Sequence, residues 1–340
     1  MNIRQRHATD IVVMDAWREI LGIDDIDPHD TFTALGGTSL QIVELRELLT
    51  QRFGLRLSVA DLAAAPTVAE LGARLESAGR REFTAGSVAV TRVGRAAGLP
   101  PQPGAPQINV FCLPGSGGSS WSFVPLADHL PAQVAVHAIC QRGLEHRGVP
   151  HFRMRSLTGY VARAIRSVQP HGPYVLLGHS MGAVAALEVA HRLRGDGADI
   201  ALVVLLDAPL PAATARRLGE PVHAPGGAAG AGGHTLAERA GLYGAMLTAG
   251  VVRRPIGRQQ QVFYEIGLRV QNRHRMRPRE CPVLAVVTEH TAHHVPGWRR
   301  VLGDVPTYVV DGGHMDVVRE GPLLRGAATR IGAEILRRCG

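Results

Sequence analysis

The sequence predicts two domains of different fold class: a small all-α bundle of four helices, followed by an α/β domain with a mostly parallel sheet. Up to residue 79, apolar residues recur at helical spacing. Residues 80–107 are rich in Gly, Pro, Ala and Arg without sustained periodicity, which indicates a flexible linker. From 108 to 340, short apolar runs alternate with helical stretches, a pattern typical of a parallel sheet with helices on both faces.

Four helices are expected in residues 1–79. The first, in TDIVVMDAWREILG, begins at Thr9 or Asp10 and ends at Gly22. The second runs from about Ser39 to Phe53. Two short helices follow, each introduced by a capping-box pattern, SVAD at 58–61 and TVAE at 67–70.

Six strands are expected in the second domain, ending in Gly or polar residues: INVFCLPG, AVHAIC, YVLLGHS, ALVVLLDAP, PVLAVVTEH and TYVVDGGH. LTGYVARAIRSV and AVAALEVAHRLRG are helical segments between them. From Pro209 to about residue 280 a loop, APGGAAGAGG, and helices interrupt the alternation without an intervening strand. This predicts an insertion over the ligand-binding edge of the sheet.

The charged residues exclude several function classes. All 37 basic residues are arginine, so a Walker phosphate loop and a Schiff-base or pyridoxal enzyme, which need lysine, are excluded. Residues 1–79 hold 7 Arg against 12 Asp and Glu, and the rest of the chain 30 against 17. Dispersed arginines and an aromatic content of 4% do not favour nucleic-acid binding. We expect instead that the acidic domain docks on the basic one.

The cysteines and the apolar runs bear on the compartment. The four cysteines have no CxxC spacing and are too few for a disulfide scaffold, so we expect reduced thiols and a cytoplasmic protein. The start MNIRQRHATD lacks the apolar region of a signal peptide. No apolar run has the length of a membrane span, and no membrane association is expected.

The stretch VLLGHSMG predicts a nucleophile, Ser180, at a sharp turn between a strand and a helix. Gly178 and Gly182 leave room for the close chain approach that exposes its Oγ atom. The oxyanion hole is expected from the backbone amides of Met181 and of Ser116 in LPGSGG, after the first strand.

A serine nucleophile needs a base and an acid. His314, in VVDGGHM after the last expected strand, is the candidate base. Asp207 and Glu289 both end strands at the carboxyl edge of the sheet, so position alone does not choose the acid. His290, His293 and His294 in TEHTAHH have no partner cluster, and no metal site is predicted.

Two stretches resemble a known family. DTFTALGGTSLQIVELRELL is similar to the 4′-phosphopantetheine site of peptidyl carrier domains, and the second domain resembles the terminal thioesterases of nonribosomal peptide synthetases. The resemblance implies a carrier domain at 1–79, a linker at 80–107, and an α/β-hydrolase domain at 108–340 with a helical lid at about 209–280. It implies that 4′-phosphopantetheine is attached to Ser39, and it favours Asp207 as the acid.

The implied activity is acyl transfer. An acyl, aminoacyl or peptidyl thioester on the arm would pass to Ser180 and leave by hydrolysis or cyclisation. The implied partners are a phosphopantetheinyl transferase and the adenylation and condensation domains of an upstream synthetase. Two alternatives stay open: a carrier that presents an aminoacyl group to a tailoring enzyme before release, and an editing thioesterase that clears misloaded carriers.

Overall fold

The structure, a computed structural model, describes residues 3–53, 55, 57–78, 89–94, 107–145, 148–222, 236–252, 254, 256–278 and 281–340. The loop APGGAAGAGG lies outside the described residues. Within them, no helix is long and apolar enough to cross a membrane.

Four helices form the first domain: α1 (Ile3–Leu21), α2 (Ser39–Phe53), α3 (Val59–Ala63) and α4 (Val68–Ala78). Helix α2 has the predicted bounds, whereas α1 begins earlier than the predicted Thr9 or Asp10. Both predicted capping boxes form, at the starts of α3 and α4. The bundle encloses the rings of Trp17 and Phe32, which meet edge to face with centroids 5.0 Å apart.

The second domain is built on a seven-stranded sheet of order β1-β3-β2-β4-β5-β6-β7. The strands are β1 (Val90–Val93), β2 (Ile108–Leu113), β3 (Val134–Ile139), β4 (Tyr174–His179), β5 (Ile200–Leu206), β6 (Val283–Thr288) and β7 (Thr307–Val310). Strands β2 to β7 are mutually parallel and are the six expected strands. Their carboxyl ends share one edge, which is where such folds place a ligand site.

Strand β1 corrects the linker prediction. It lies inside the stretch 80–107 and pairs antiparallel with β3, placing Val90 opposite Ile139. It has only four residues, and one of its two buried side chains is polar, that of Thr91, whose hydroxyl contacts the Cys140 thiol. A short strand with a polar residue on its inner face lacks the apolar alternation that would predict it.

Helices cover both faces of the sheet. They are α5 (Val124–His129), α6 (Met154–Val168), α7 (Met181–Gly195), α8 (Ala212–Leu218), α9 (Leu236–Leu247), α10 (Ile256–Asn272), α11 (Glu289–Ala292), α12 (Val295–Leu302) and α13 (Pro322–Cys339). Helices α8, α9 and α10 lie between β5 and β6, and the described residues there include no strand. This agrees with the helical insertion expected at about 209–280.

The two domains meet through an apolar contact. Phe32 of the first domain contacts Trp121, in the 3₁₀ turn Ser120–Phe123, edge to face at 6.3 Å. The buried side chains of the first domain and part of those of the second form one continuous cluster. Beside this contact, Arg46 of the acidic domain donates to the backbone carbonyl oxygen of Glu145, and the docking of an acidic domain on a basic one stays a prediction.

Candidate active site

Ser180 lies at the turn between β4 and α7. Its backbone has φ 55° and ψ −122°, a region that costs a residue with a side chain about 1–3 kcal/mol. Its amide donates to the carbonyl of Leu206 in β5 at 2.9 Å, which fixes the turn to the neighbouring strand. The surrounding sheet therefore holds the serine in a conformation that it would not adopt alone.

Gly178 and Gly182 permit this turn by their lack of side chains. A Cβ on Gly178 would lie 2.2 Å from the backbone of Gly182, and a Cβ on Gly182 would lie 2.0 Å from the carbonyl oxygen of Leu113. Both distances are shorter than any van der Waals contact. The two glycines of GHSMG are thus required by close backbone approach.

Asp207 and His314 form a hydrogen-bonded pair at the carboxyl edge of the sheet. The Nδ1 atom of His314 lies 2.6 Å from Oδ2 of Asp207, which is fully buried, whereas His314 is half-buried. The other oxygen of Asp207 accepts hydrogen bonds from the Thr288 amide at 2.6 Å and from the Thr291 hydroxyl. The carboxylate is held by three donors, and it orients the imidazole.

The pKa of Asp207 lies below its ordinary range. Burial alone would raise this pKa. The hydrogen bonds from His314, Thr291 and Thr288, together with the charge of His314, lower it by a larger amount. Asp207 is therefore ionised at neutral pH and holds the Nδ1–H tautomer of His314, which leaves Nε2 of that ring as the basic atom.

Glu289, the second candidate acid, is placed elsewhere. It begins α11 and is exposed to solvent. In the part of the chain that the structure describes, it makes no hydrogen bond to His314. The geometry thus favours Asp207. Its carboxylate also accepts a hydrogen bond from Thr291, which lies two positions beyond Glu289 in the chain.

A second histidine, His179, supports the pair and was not anticipated from the sequence. Its Nε2 atom lies 3.0 Å from the carbonyl oxygen of His314, and because a carbonyl only accepts, Nε2 carries the proton. Burial, and then the charge of His314, lower the pKa of His179 from 6.5 to about 4. A neutral His179 thus fixes the backbone of His314. Its position as the variable residue before the serine in GHSMG gave no indication of this role.

The loop after β2 carries Ser116, the predicted oxyanion donor. The loop turns back through a bond from the Gly118 amide to the carbonyl of Gly115 at 3.0 Å. A Cβ on Gly115 would lie only 3.2 Å from the Cβ of Ser180, so the loop passes directly over Ser180. The other predicted donor, the Met181 amide, is the first of α7 and has no partner within the helix.

An apolar cavity of about 590 Å³, including its open mouth, lies beside the turn. Its walls come from β2, β3, α6, α7 and the lid helix α10, and its apolar lining includes Met181, Leu157, Val161, Phe263, Ile266 and Val270. One lining residue, His151, has a buried Nε2 atom without a hydrogen-bond partner among the described residues. Burial, with Arg142 and Arg163 nearby, lowers the pKa of His151 to about 4. The cavity therefore offers a neutral polar group within apolar walls.

Ser39 is the first residue of α2, and its neighbour Thr38 makes the helix cap. The Gln41 amide donates to the Thr38 hydroxyl at 3.3 Å, and the Gln41 side chain accepts from the Thr38 amide at 3.0 Å. This is a capping box, so the helix start is satisfied without the Ser39 hydroxyl. Within the described residues that hydroxyl makes no hydrogen bond. Partial exposure and a helix N-terminus suit a phosphodiester there.

The start of α2 in the first domain touches the loop between Pro114 and Ser119 in the second, called the oxyanion loop below because it carries the predicted donor Ser116. The hydroxyl of Ser119 donates to the carbonyl oxygen of Ser39 at 3.3 Å. Ser119 lies three residues beyond Ser116. The predicted attachment point and the predicted oxyanion donor thus lie on directly contacting segments.

No group of three or more His, Cys, Asp or Glu side chains that could hold a metal ion occurs in the described ranges.

Two family models match the chain. The model of the phosphopantetheine attachment site matches residues 12–75, and the thioesterase domain model matches residues 108–224. Malpibaldin synthetase of Mortierella alpina is 34% identical over 198 residues, and a dimodular nonribosomal peptide synthase of Bacillus subtilis is 30% identical over 197. Residues 12–75 thus belong to the family of phosphopantetheine attachment sites and residues 108–224 to the thioesterase domain family, and the relatives that match are peptide synthetases. These matches cover 58% of this chain but only 3% and 8% of the relatives, so the chain corresponds to a small part of their length.

Solved structures agree on the fold of this carrier–thioesterase chain. A holo four-domain nonribosomal peptide synthetase bound to AMP and glycine matches 95% of the chain and 26% of its own length, with TM-score 0.56 and 21% identity. RedJ, a thioesterase from the prodiginine pathway of Streptomyces coelicolor, matches 76% of this chain and 98% of its own, with TM-score 0.52 and 24% identity. The expected α/β fold of the second domain is thereby confirmed.

Proposed function

We propose that the chain carries an acyl, aminoacyl or peptidyl group on Ser39 and releases it through an acyl-enzyme on Ser180. The observation that carries this proposal is the His314–Asp207 pair at the sheet edge where Ser180 occupies its positive-φ turn. The 4′-phosphopantetheine arm, when bound, supplies a thioester, whose carbonyl carbon is activated toward acyl transfer.

The acylation step follows from the pair. Nε2 of His314 takes the proton of the Ser180 hydroxyl while the Ser180 Oγ atom forms a bond to the thioester carbon. Asp207 stabilises the imidazolium that results. The carbon–sulfur bond then breaks, and the proton passes from His314 to the departing thiolate.

The negative charge of the tetrahedral intermediate needs donors that are already in place. We assign these to the amides of Met181 and Ser116. Met181 contributes a helix N-terminal amide, and the Ser116 loop lies against Ser180 through Gly115. The adjacent apolar cavity would accommodate the acyl group while the ester forms.

The second step resolves the acyl-enzyme. His314 takes a proton from water, which gives an acid, or from an amine or hydroxyl of the acyl group itself, which gives a ring. The partners that fit are a phosphopantetheinyl transferase and an upstream synthetase, and a tailoring enzyme would act on the loaded carrier before release.

The test uses the full chain loaded by a phosphopantetheinyl transferase from an acyl-coenzyme A. Intact and peptide mass spectrometry should find the acyl group on the Ser39 peptide, lost with time in the wild type. Ser180→Ala should keep it there, with only the residual catalysis of about 10³- to 10⁴-fold over water that remains without a nucleophile. Release from Ser180→Ala at the wild-type rate would reject the proposed nucleophile.

A further inference from the structure

Arg46 of the carrier reaches across the domain boundary to a residue of the thioesterase domain. It lies in α2, two turns beyond Ser39, and its side chain is only 15% exposed. Its guanidinium donates to the carbonyl oxygen of Glu145 at 2.9 Å. A long arginine side chain is thus ordered against the loop that follows β3.

Glu145 is a hub of hydrogen bonds that the proposed reaction does not use. Its carboxylate accepts from the Ser120 amide at 3.1 Å, from the Ser120 hydroxyl, and from the Gln141 amide at 2.9 Å. Burial raises the pKa of Glu145, while these bonds and the charge of Arg46 act in the opposite direction. The carboxylate therefore fixes the backbone at Gln141.

Gln141 connects this hub to the oxyanion loop. Its side-chain amide donates to the carbonyl oxygen of Gly115 at 2.7 Å. The Gly115 carbonyl and the Ser116 amide belong to the same planar peptide group. The Ser116 amide is the one proposed as an oxyanion donor. A bond to the carbonyl oxygen consequently orients the Ser116 N–H itself.

We infer that Gln141 is a positioning residue for the oxyanion hole, and that the docked carrier, through Arg46 and Glu145, holds Gln141 in place. The inference rests on the proposed function. In addition to delivering the acyl group, the docked carrier would then raise the rate of reaction at Ser180.

The effect separates turnover from binding. A donor aimed at the developing charge acts in the transition state, so its loss lowers kcat and leaves KM largely unchanged. Loss of one net hydrogen bond from Arg46 corresponds to a decrease in kcat of about 2- to 12-fold. Misplacing the Ser116 amide itself would cost up to about 100-fold.

The experiment measures hydrolysis of a small acyl thioester free in solution, which needs no arm. Arg46→Ala should lower kcat by about 2- to 12-fold, and Arg46→Lys, which retains a donor, should recover most of the loss. Gln141→Glu, which removes the amide donor, should lower kcat by about 10- to 100-fold. Arg52→Ala is the matched control, because Arg52 lies on the same helix and bonds Glu19 and the Val12 carbonyl within the carrier.

Two outcomes would overturn the inference. In the first, Arg46→Ala or Gln141→Glu hydrolyses the free thioester with wild-type kcat. In the second, Arg46→Ala slows only carrier-borne release, which would make Arg46 a docking contact alone. Failure of the proposed function looks different, because Ser180→Ala would then retain hydrolysis of the free thioester. Circular dichroism of each variant separates a kcat effect from misfolding, and Gln141→Glu tests the loop without altering the carrier.

Discussion

The imidazole of His314 and the carboxylate of Asp207 are joined at 2.6 Å although 107 positions separate them in the chain. Asp207 follows β5 and His314 follows β7, so the shared carboxyl edge of the parallel sheet brings them together. The carboxylate is fully buried and the histidine is not. This asymmetry fits an orienting acid below a base that reaches the substrate.

Asp207→Asn should lower kcat by about 10⁴-fold, the loss typical of a triad acid that no longer fixes the histidine tautomer. Glu289→Gln should change it little, because Glu289 is exposed at the start of α11. Steady-state kinetics with a free thioester measures both. If Glu289→Gln were the more damaging change, the acid would be Glu289, directly after β6, and not Asp207.

Gly182→Ala and Gly195→Ala compare two positions of α7. A Cβ on Gly182 would lie 2.0 Å from the Leu113 carbonyl, whereas one on Gly195 would have nothing within 4 Å. We expect Gly182→Ala to displace the Ser180 turn and to abolish turnover, with a clear fall in the free energy of unfolding. Gly195→Ala should keep activity and gain up to about 1 kcal/mol, because alanine favours the helix. Urea denaturation and thioester hydrolysis together test the pair, and equal behaviour of the two variants would contradict it.

The buried His179 predicts a pH dependence of stability. Its pKa is about 4 in the folded chain and 6.5 ordinarily, so the unfolded chain binds more protons between these values. The folded state should therefore be fully stabilised above pH 6.5 and lose stability as the pH falls toward 4.

His179→Gln tests this dependence, because glutamine retains a donor for the His314 carbonyl but does not titrate. Urea unfolding at several pH values should give a slope for the variant that is smaller by about 1.4 kcal/mol per pH unit in this window. His137 and His151, whose pKa values are also about 4, remain in both proteins. Identical slopes would mean that His179 does not stay neutral in the fold.

The sequence predicted those parts of the site that depend on local chain geometry. GHSMG requires close backbone contacts of Gly178 and Gly182, so the turn at Ser180 is encoded within five residues. Glycine spacing and a strand before a helix suffice to find such a turn. The six strands were likewise evident, because each is a short apolar run; β2 to β6 are buried within the parallel sheet, whereas β7 is an edge strand with Tyr308 and Val309 exposed.

Contacts between distant segments could not be predicted in the same way. Choosing between Asp207 and Glu289 from the residues alone failed, because both end a strand, and only the register of β5 and β6 decides which one meets His314. Strand β1 was missed because pairing with β3 compensates its weak local pattern. The bonds that join Arg46 to the oxyanion loop depend on how two domains pack, which no periodicity records.

Thr38 and Ser39 are adjacent at the start of α2 but differ in their hydrogen bonds. Thr38 makes the capping box of α2, and the Ser39 hydroxyl makes no hydrogen bond within the described residues. Thr38→Ala should therefore lower the stability of the carrier by about 1 kcal/mol and still accept the arm. Ser39→Ala should leave stability unchanged and accept no arm, so release of carrier-borne acyl groups should stop. Hydrolysis of a free thioester should continue at the wild-type rate in both variants, because the Ser39 carbonyl that Ser119 contacts is backbone. Peptide mass spectrometry, urea unfolding and the free-thioester assay give the three readouts.

Loss of free-thioester hydrolysis in Ser39→Ala would give Ser39 a structural or catalytic role and reject it as the attachment point. Arm attachment that persists in Ser39→Ala would move the site to another residue, and release from a separately supplied carrier at the rate of the tethered one would favour the editing alternative. Because a tether raises the effective concentration of the acyl group to about the millimolar range, the tethered reaction should be the faster.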